Sequence, residues 1–305
     1  MKPLEYTLAD VFTEEPFGGN QLAVVEGRDD LTGEMMQKIA RELNLSETVF
    51  VFPSAVGWNA RKLRIFTPQM ELPMAGHPTI GAAYVLAASD AMPTEEGQNE
   101  MVFEEEIGEI PVVVHKEEGQ IIKVEMEQPL PVFSEVFENR KLAAELLSLS
   151  EDDLFSDYPV QTVSSGVAFL FIPLRSLQAI QRIHFRQDVW EQHFSENAGI
   201  QHIFTFTTET EDADAAVHAR MFAPAMGIAE DPATGAASGP LGAYLVEHQL
   251  LPRSDNEVYA IRSEQGYEMG RPSEIDITVT GRSGGIREVK IGGSSVIIGK
   301  GQLFI

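Results

Sequence analysis

The sequence predicts an α/β (α+β) protein of two similar halves. Three observations carry the prediction: a chain long enough for two cores, one small-residue helix among strand-like segments in each half, and an internal repeat. At 305 residues the chain exceeds the usual size of a single core, and two domains of roughly 150 residues each are the natural division. A hydrophobic share of 43% is enough to fill both.

The elements follow in order. Residues 6–12 alternate as a strand, 17–21 (FGGNQ) form a turn, and 22–25 form a second strand. Over 32–43 the apolar residues Met35, Met36, Ile39, Ala40 and Leu43 recur at helical spacing. Strands follow at 48–52 and 63–66. Residues 75–88 carry small and apolar side chains on every side, the pattern of a helix buried all round. Strands dominate 101–126, and the two prolines within 128–131 mark a linker. In the second half, 161–163, 168–172 and 215–222 read as strands. A helix is predicted over 174–183 and a second small-residue helix over 233–248, with short strands and glycine turns beyond.

The repeat is the most informative feature. Residues 64–72 (RIFTPQMEL) and 220–228 (RMFAPAMGI) share Arg, Phe, Pro and Met at a constant offset of 156. Residues 77–83 (HPTIGAA) and 231–237 (DPATGAA) share Pro, Gly and two Ala at an offset of 154. Both matches lie on a strand, then a turn, then a helix, which points to a duplicated domain.

Composition excludes several function classes. With 47 acidic and 22 basic residues the net charge is −25, which opposes binding to nucleic acid or to anionic membranes. The absence of cysteine excludes disulfides, thiolate metal sites and cysteine nucleophiles. The start MKPLEY lacks the apolar stretch of a signal peptide, and the most apolar run, 167–172, is too short to span a bilayer. A soluble, cytoplasmic protein is therefore expected. The seven histidines are scattered without a metal-binding spacing, and no phosphate-cradling or nucleophile-elbow motif occurs. No metal and no cofactor is expected.

Acid–base chemistry remains. Proline suits the first residue of a helix, so Pro78 and Pro232 place His77 and Asp231 at the N-caps of the two small-residue helices. Aspartate is a common cap, and Asp231 reads as a cap or as a functional carboxylate. Histidine is a poor cap, and His77 in Gly-His-Pro reads as structural or as catalytic. Two helix N-termini brought together would form an anion site, a local means for an acidic protein to bind a carboxylate. Glu47 stands directly before an apolar strand. It is either a solvated turn residue or a carboxyl enclosed by apolar neighbours and usable as a proton carrier near neutrality.

The blocks 10–12 with 17–20 (DVF and FGGN), 45–50 (LSETVF), 66–68 with 75–81 (FTP and AGHPTIG), and 230–235 (EDPATG) resemble the PhzF-like family of phenazine biosynthesis, in the same order along nearly the whole chain. The resemblance implies the diaminopimelate epimerase fold: two pseudo-symmetric domains of mixed strands, each wrapped around a central helix, here about 79–88 and 234–248. The implied domains are 1–127, with a C-terminal strand near 297–305 returning to it, and 128–296, with one active site between them. It also implies isomerisation of a carboxylated cyclohexadiene, trans-2,3-dihydro-3-hydroxyanthranilate, by proton movement without a cofactor. By the same resemblance Glu47 takes up and returns the proton, while His77 and Asp231 orient the substrate. Asn20, Gly76, Thr234, Gly235 and Ala236 form the binding surface. A small carboxylate is the expected substrate and a homodimer the expected assembly, with no nucleic acid or membrane partner. The chain departs from the family pattern at Ala236, where serine is common, and at Gln21, where proline is common. Two alternatives stay open: a non-catalytic binding member of the fold, and an epimerase that uses bases other than cysteine.

Overall fold

A computed structural model of the protein describes residues 3–54, 57 and 60–305. The chain forms β1 (Pro3–Val11), β2 (Asn20–Glu26), α1 (Gly33–Leu43), β3 (Glu47–Pro53), β4 (Ala60–Phe66), β5 (Glu71–Leu72), α2 (Gly76–Ala88), β6 (Gly97–Glu105), β7 (Gly108–Glu117) and β8 (Gln120–Glu127). It continues through β9 (Val132–Val136), α3 (Arg140–Leu146), β10 (Gln161–Ser164), β11 (Ala168–Pro173), α4 (Leu177–Gln181), α5 (Gln187–His193), β12 (Ile203–Thr207), β13 (Val217–Ala223) and β14 (Ile228–Asp231). The last elements are α6 (Gly235–Glu247), β15 (Val258–Gln265), β16 (Ser273–Thr280), β17 (Glu288–Gly293) and β18 (Ser295–Phe304). Two compact units result: Met1–Glu127 with Gly292–Ile305, and Gln128–Ile291.

In the first unit β1 pairs antiparallel with β18 and with β2, β2 runs parallel to β3, and β3 is antiparallel to β4. From there β4 is parallel to β6, and β6, β7 and β8 form an antiparallel meander. These strands surround α2, which touches β1, β2, β3, β7, β8 and β18. Eleven of its 13 residues are buried, so it presents no polar face. Gly81 makes the approach possible, because a Cβ there would lie 2.5 Å from Leu22 Cδ2 and 2.6 Å from Val11 Cγ2. Overpacking of this kind costs about 1–3 kcal/mol. By contrast α1 lies outside as an amphipathic helix, burying Met36, Ile39 and Ala40 and starting at the N-cap Thr32, whose hydroxyl accepts from the Met35 amide.

The second unit repeats the series. Strands β9 and β10, β10 and β11, β12 and β13, and β15 and β16 pair antiparallel; β11 with β12, and β13 with β15, run parallel. Its central helix α6 touches β10, β15 and β16, and again 11 of 13 residues are buried. Helices α3 and α5 fall where the sequence pattern names no element; they pack Leu146, Val189, Trp190 and Phe194 into a separate core cluster. The helix predicted over 174–183 is shorter, Leu177–Gln181, because Ser176 caps it through the Ala179 amide.

The first half of the sequence repeat holds at the level of side chains. Arg64 forks onto Glu71 at 2.7 Å through both nitrogens and lies 5.3 Å from the Phe66 ring centre. Arg220 forks onto Glu230 at 2.7 and 2.9 Å and lies 5.2 Å from Phe222. Each bidentate pair staples a strand of the sheet to the short return strand after it. The second half of the repeat corrects the expected helix starts. The helices begin at Gly76 and Gly235, not at Pro78 and Pro232. Ala75 is the N-cap of α2, and His77 and Pro78 are its second and third residues, where an amide has no intrahelical partner to lose. Thr234 is the N-cap of α6, so Asp231 ends β14 three residues earlier. Among the described residues no helix is long and apolar enough to cross a membrane.

A buried charged cluster ties β13 to β15 and the turn after it. His218 Nδ1 lies 2.6 Å from Glu264 and Nε2 lies 3.0 Å from Glu268, while Glu264 also accepts from the amides of Glu211 and Asp212. Burial by itself pulls His218 down, but its hydrogen bonds to the two carboxylates prevail and push it up to about 9. Its folded-state value thus stands above the ordinary 6.5, so this stabilisation is complete below pH 6.5 and is lost as pH rises through about 9. We expect the melting temperature to fall across that window and His218→Asn to flatten the fall; a wild-type melting temperature constant from pH 6 to about 10 would refute the assignment.

Candidate active site

Three elements of the first unit end at one place. Asn20 opens β2 after the turn 12–19, which Asp10 holds by accepting the Phe17 amide at 2.7 Å. Gly19 is required there: its φ is +60°, and a Cβ would lie 2.4 Å from the Val11 carbonyl oxygen. Glu47 opens β3, delivered by the loop after α1, where Asn44 in the left-handed region closes the helix by donating to Ala40. His77 stands in the first turn of α2. All three are buried, with Glu47 7% and His77 5% exposed.

The His77 ring bridges the other two. Its Nδ1 lies 3.4 Å from the amide nitrogen of Asn20, and its Nε2 lies 3.1 Å from Glu47 Oε2. The second approach is an ion-pair distance without hydrogen-bond alignment. An Asn20 N–H facing Nδ1 makes that nitrogen the acceptor and places the proton of a neutral ring on Nε2, beside the carboxylate. Gly76 is the residue before His77 and begins the helix. The arrangement joins a buried carboxylate to an imidazole of fixed tautomer, a pair able to hold and exchange one proton.

The second unit builds a different constellation around Asp231. The Thr234 hydroxyl donates to Asp231 Oδ2 at 2.6 Å. Asp231 is not the expected N-cap, and its carboxylate is held by this side-chain contact instead. Gln265, fully buried at the end of β15, orders both residues: its amide nitrogen donates to the Asp231 carbonyl at 2.7 Å and to Thr234 Oγ1 at 3.0 Å, and its oxygen accepts from the Thr234 amide at 3.2 Å. The Gly235 carbonyl accepts from Gln128 at 3.0 Å. Ala236 alone among 231–240 is not buried, so the methyl that replaces a serine hydroxyl is accessible. The structure thus groups Asn20, Gly76, His77 and Glu47 in one unit, and Asp231, Thr234, Gly235 and Ala236 in the other. Sequence reasoning missed Gln265; its signal was the pair Gly266 and Gly270 bracketing a tight turn directly after a strand.

The fold is that of an enzyme class whose relatives are named isomerases and epimerases. The chain belongs to the phenazine biosynthesis-like (PhzC–PhzF) family, whose pattern it matches over residues 9–301, and it is a PhzF-like isomerase. It is 38% identical over 298 residues to an uncharacterised isomerase of Clostridium acetobutylicum, covering 97% of this chain and 96% of that one. It is 33% identical over 304 residues to the trans-2,3-dihydro-3-hydroxyanthranilate isomerase of Pseudomonas aeruginosa, covering 98% and 99%. A PhzF-family crystal structure from Bacillus anthracis superposes with a TM-score of 0.89 at 27% identity over 100% of both chains. A hydroxyproline epimerase from Agrobacterium vitis shares the fold at a TM-score of 0.63 and 13% identity, covering 99% of this chain and 92% of that one.

Gln265→Leu removes the three Gln265 side-chain hydrogen bonds at once, those to the Asp231 carbonyl, the Thr234 hydroxyl and the Thr234 amide. The loss should be about 1–3 kcal/mol of stability by urea denaturation. An unchanged urea midpoint would mean that these contacts do not order the Asp231 loop.

Proposed function

We propose that the protein moves a proton between two carbons of a small, cyclic carboxylate substrate, in the manner of a trans-2,3-dihydro-3-hydroxyanthranilate isomerase and without a cofactor. Glu47 is the proton carrier: its carboxylate takes a proton from one carbon, the ring double bond shifts, and the protonated carboxyl returns the proton to the other carbon. No atom is gained or lost and no oxidant is needed. The single observation that carries this reading is the buried contact of Glu47 with the His77 ring, which Asn20 holds from its other side. Enclosure also keeps bulk water from replacing the carried proton. In this reading His77 steadies Glu47 and donates to the substrate, and Asp231, set by Thr234 and Gln265, accepts a hydrogen bond from it. Asn20, Gly76 and the turn Thr234, Gly235 and Ala236 contact its remaining polar groups. The accessible Ala236 methyl favours a substrate with one polar group fewer than a serine there would bind. A soluble, cytoplasmic homodimer completes the proposal.

Incubation in D2O with a panel of cyclic and amino-acid carboxylates tests the reaction. Deuterium uptake with double-bond migration is the expected result; uptake with inversion instead identifies an epimerase, and no uptake a binding protein. Glu47→Gln keeps the shape and removes the base. Turnover should fall roughly 100-fold or more, with substrate still bound. Near-full activity in that variant would transfer the role to Asp231 or His77.

A further inference from the structure

One buried acid beside the site has no part in the scheme above. Along β6 the buried positions alternate as Met101, Phe103 and Glu105, so Glu105 occupies a core position where the strand pattern calls for an apolar residue. It is 9% exposed. Its Oε1 lies 2.5 Å from Thr79 Oγ1, and that same hydroxyl lies 2.6 Å from the Ala75 carbonyl oxygen. A hydroxyl carries one proton and can satisfy only one of two acceptors. The Ala75 carbonyl has no proton to give. Both short contacts are therefore satisfied together only when the carboxyl of Glu105 carries a proton and donates it to Thr79, which in turn donates to Ala75.

We propose that Glu105 is a positioning residue: as a neutral acid it locks, through Thr79, the Ala75 cap from which the His77 ring is held against Glu47. The inference rests on the function proposed above. When Glu105 ionises, the Thr79 hydroxyl proton is drawn to the carboxylate, the Ala75 carbonyl keeps only the longer 3.4 Å contact from the Thr79 amide, and the first turn of α2 loosens. Burial drives Glu105 up to about 7, against the opposing pull of the Thr79 hydroxyl and the Ala75 backbone. Charged groups on the adjoining elements do not offset this. On β4, Arg61 stands opposite Phe103 but is engaged by the Ala60 and Ala91 carbonyls, and Lys62 stands opposite Glu104 and is exposed. On β7, Glu109 pairs with Glu104, on the other face of the strand. The neighbouring Glu106 acts on Arg64, and on α2 the titratable groups are His77 and Tyr84.

The lock is complete well below pH 7, where Glu105 is neutral, and is lost as pH rises through about 7. Deuterium exchange into substrate should therefore fall across neutrality in the wild type. Glu105→Gln removes that fall, because its amide donates to Thr79 at every pH, whereas Glu105→Ala lowers exchange roughly 10- to 100-fold at all pH values. A readout without substrate separates this proposal from the reaction. The His77 ring resonances in the NMR spectrum should shift as pH passes 7 in the wild type, and that step should be missing in Glu105→Gln. If the His77 shift appears but no substrate exchanges, the proposed reaction fails and the role of Glu105 stands. Identical His77 titrations in wild type and Glu105→Gln, or identical pH profiles of exchange, would overturn it.

Discussion

A helix with no polar face has to be covered on every side, and the rest of the first unit follows from covering α2. Strands from both ends of the unit's sequence are needed to enclose it, and its own side chains must be small enough for them to close in. Gly81 shows how tight the fit is, since even a methyl group there would collide with Leu22 and Val11. A helix wrapped this way exposes only its ends. The polar groups of its first turn therefore meet the starts of the strands beside it, which is where Asn20 and Glu47 stand. The buried contact of Glu47 with His77 sits where the packing constraint leaves room for polar groups.

The duplicated arginine forks show the same economy in both units. Arg64 with Glu71 and Arg220 with Glu230 each pin a short return strand immediately before the central helix. Arg220 is almost fully buried and makes two further contacts, to the carbonyls of Ile180 and Ile183, so its charge is met on all sides. That is the condition under which a buried ion pair is tolerated. The staple fixes where the turn leaves the sheet, and hence where His77 or Asp231 begins.

Much of this was legible in the sequence, and the reasons are specific. Helix α1 declared itself by the spacing of its apolar residues. Helices α2 and α6 declared themselves by composition, although taking proline for the first helical residue read the start of α2 late and that of α6 early. In α2 the helix already tolerates Pro78 at its third position; before α6, Pro232 lies outside the helix altogether. Glu47 and His77 stood out because each is polar in an apolar setting. Glu105 did not, because it lies in a run of three glutamates that reads as a solvated face; only the alternation from Met101 and Phe103 shows that the middle one turns inward. Gln265 and Asp231 are 34 residues apart in the chain; the glycines at 266 and 270 mark a tight turn beside Gln265, but nothing local says which distant loop its side chain orders.

The pairing of β1 with β18 has a consequence for how the molecule is made. Pro3 lies opposite Phe304 and Val11 opposite Ser295, so β1 leaves the ribosome long before its partner β18. All of Gln128–Ile291 is synthesised in the interval, and at roughly 5–20 residues per second this wait lasts on the order of ten seconds or more. The second unit can finish folding during that time. The nascent first unit meanwhile carries an open strand edge, and an open edge invites pairing with other chains. The acidic surface has a task in those seconds, because like charge keeps neighbouring nascent chains apart until the closing strand arrives.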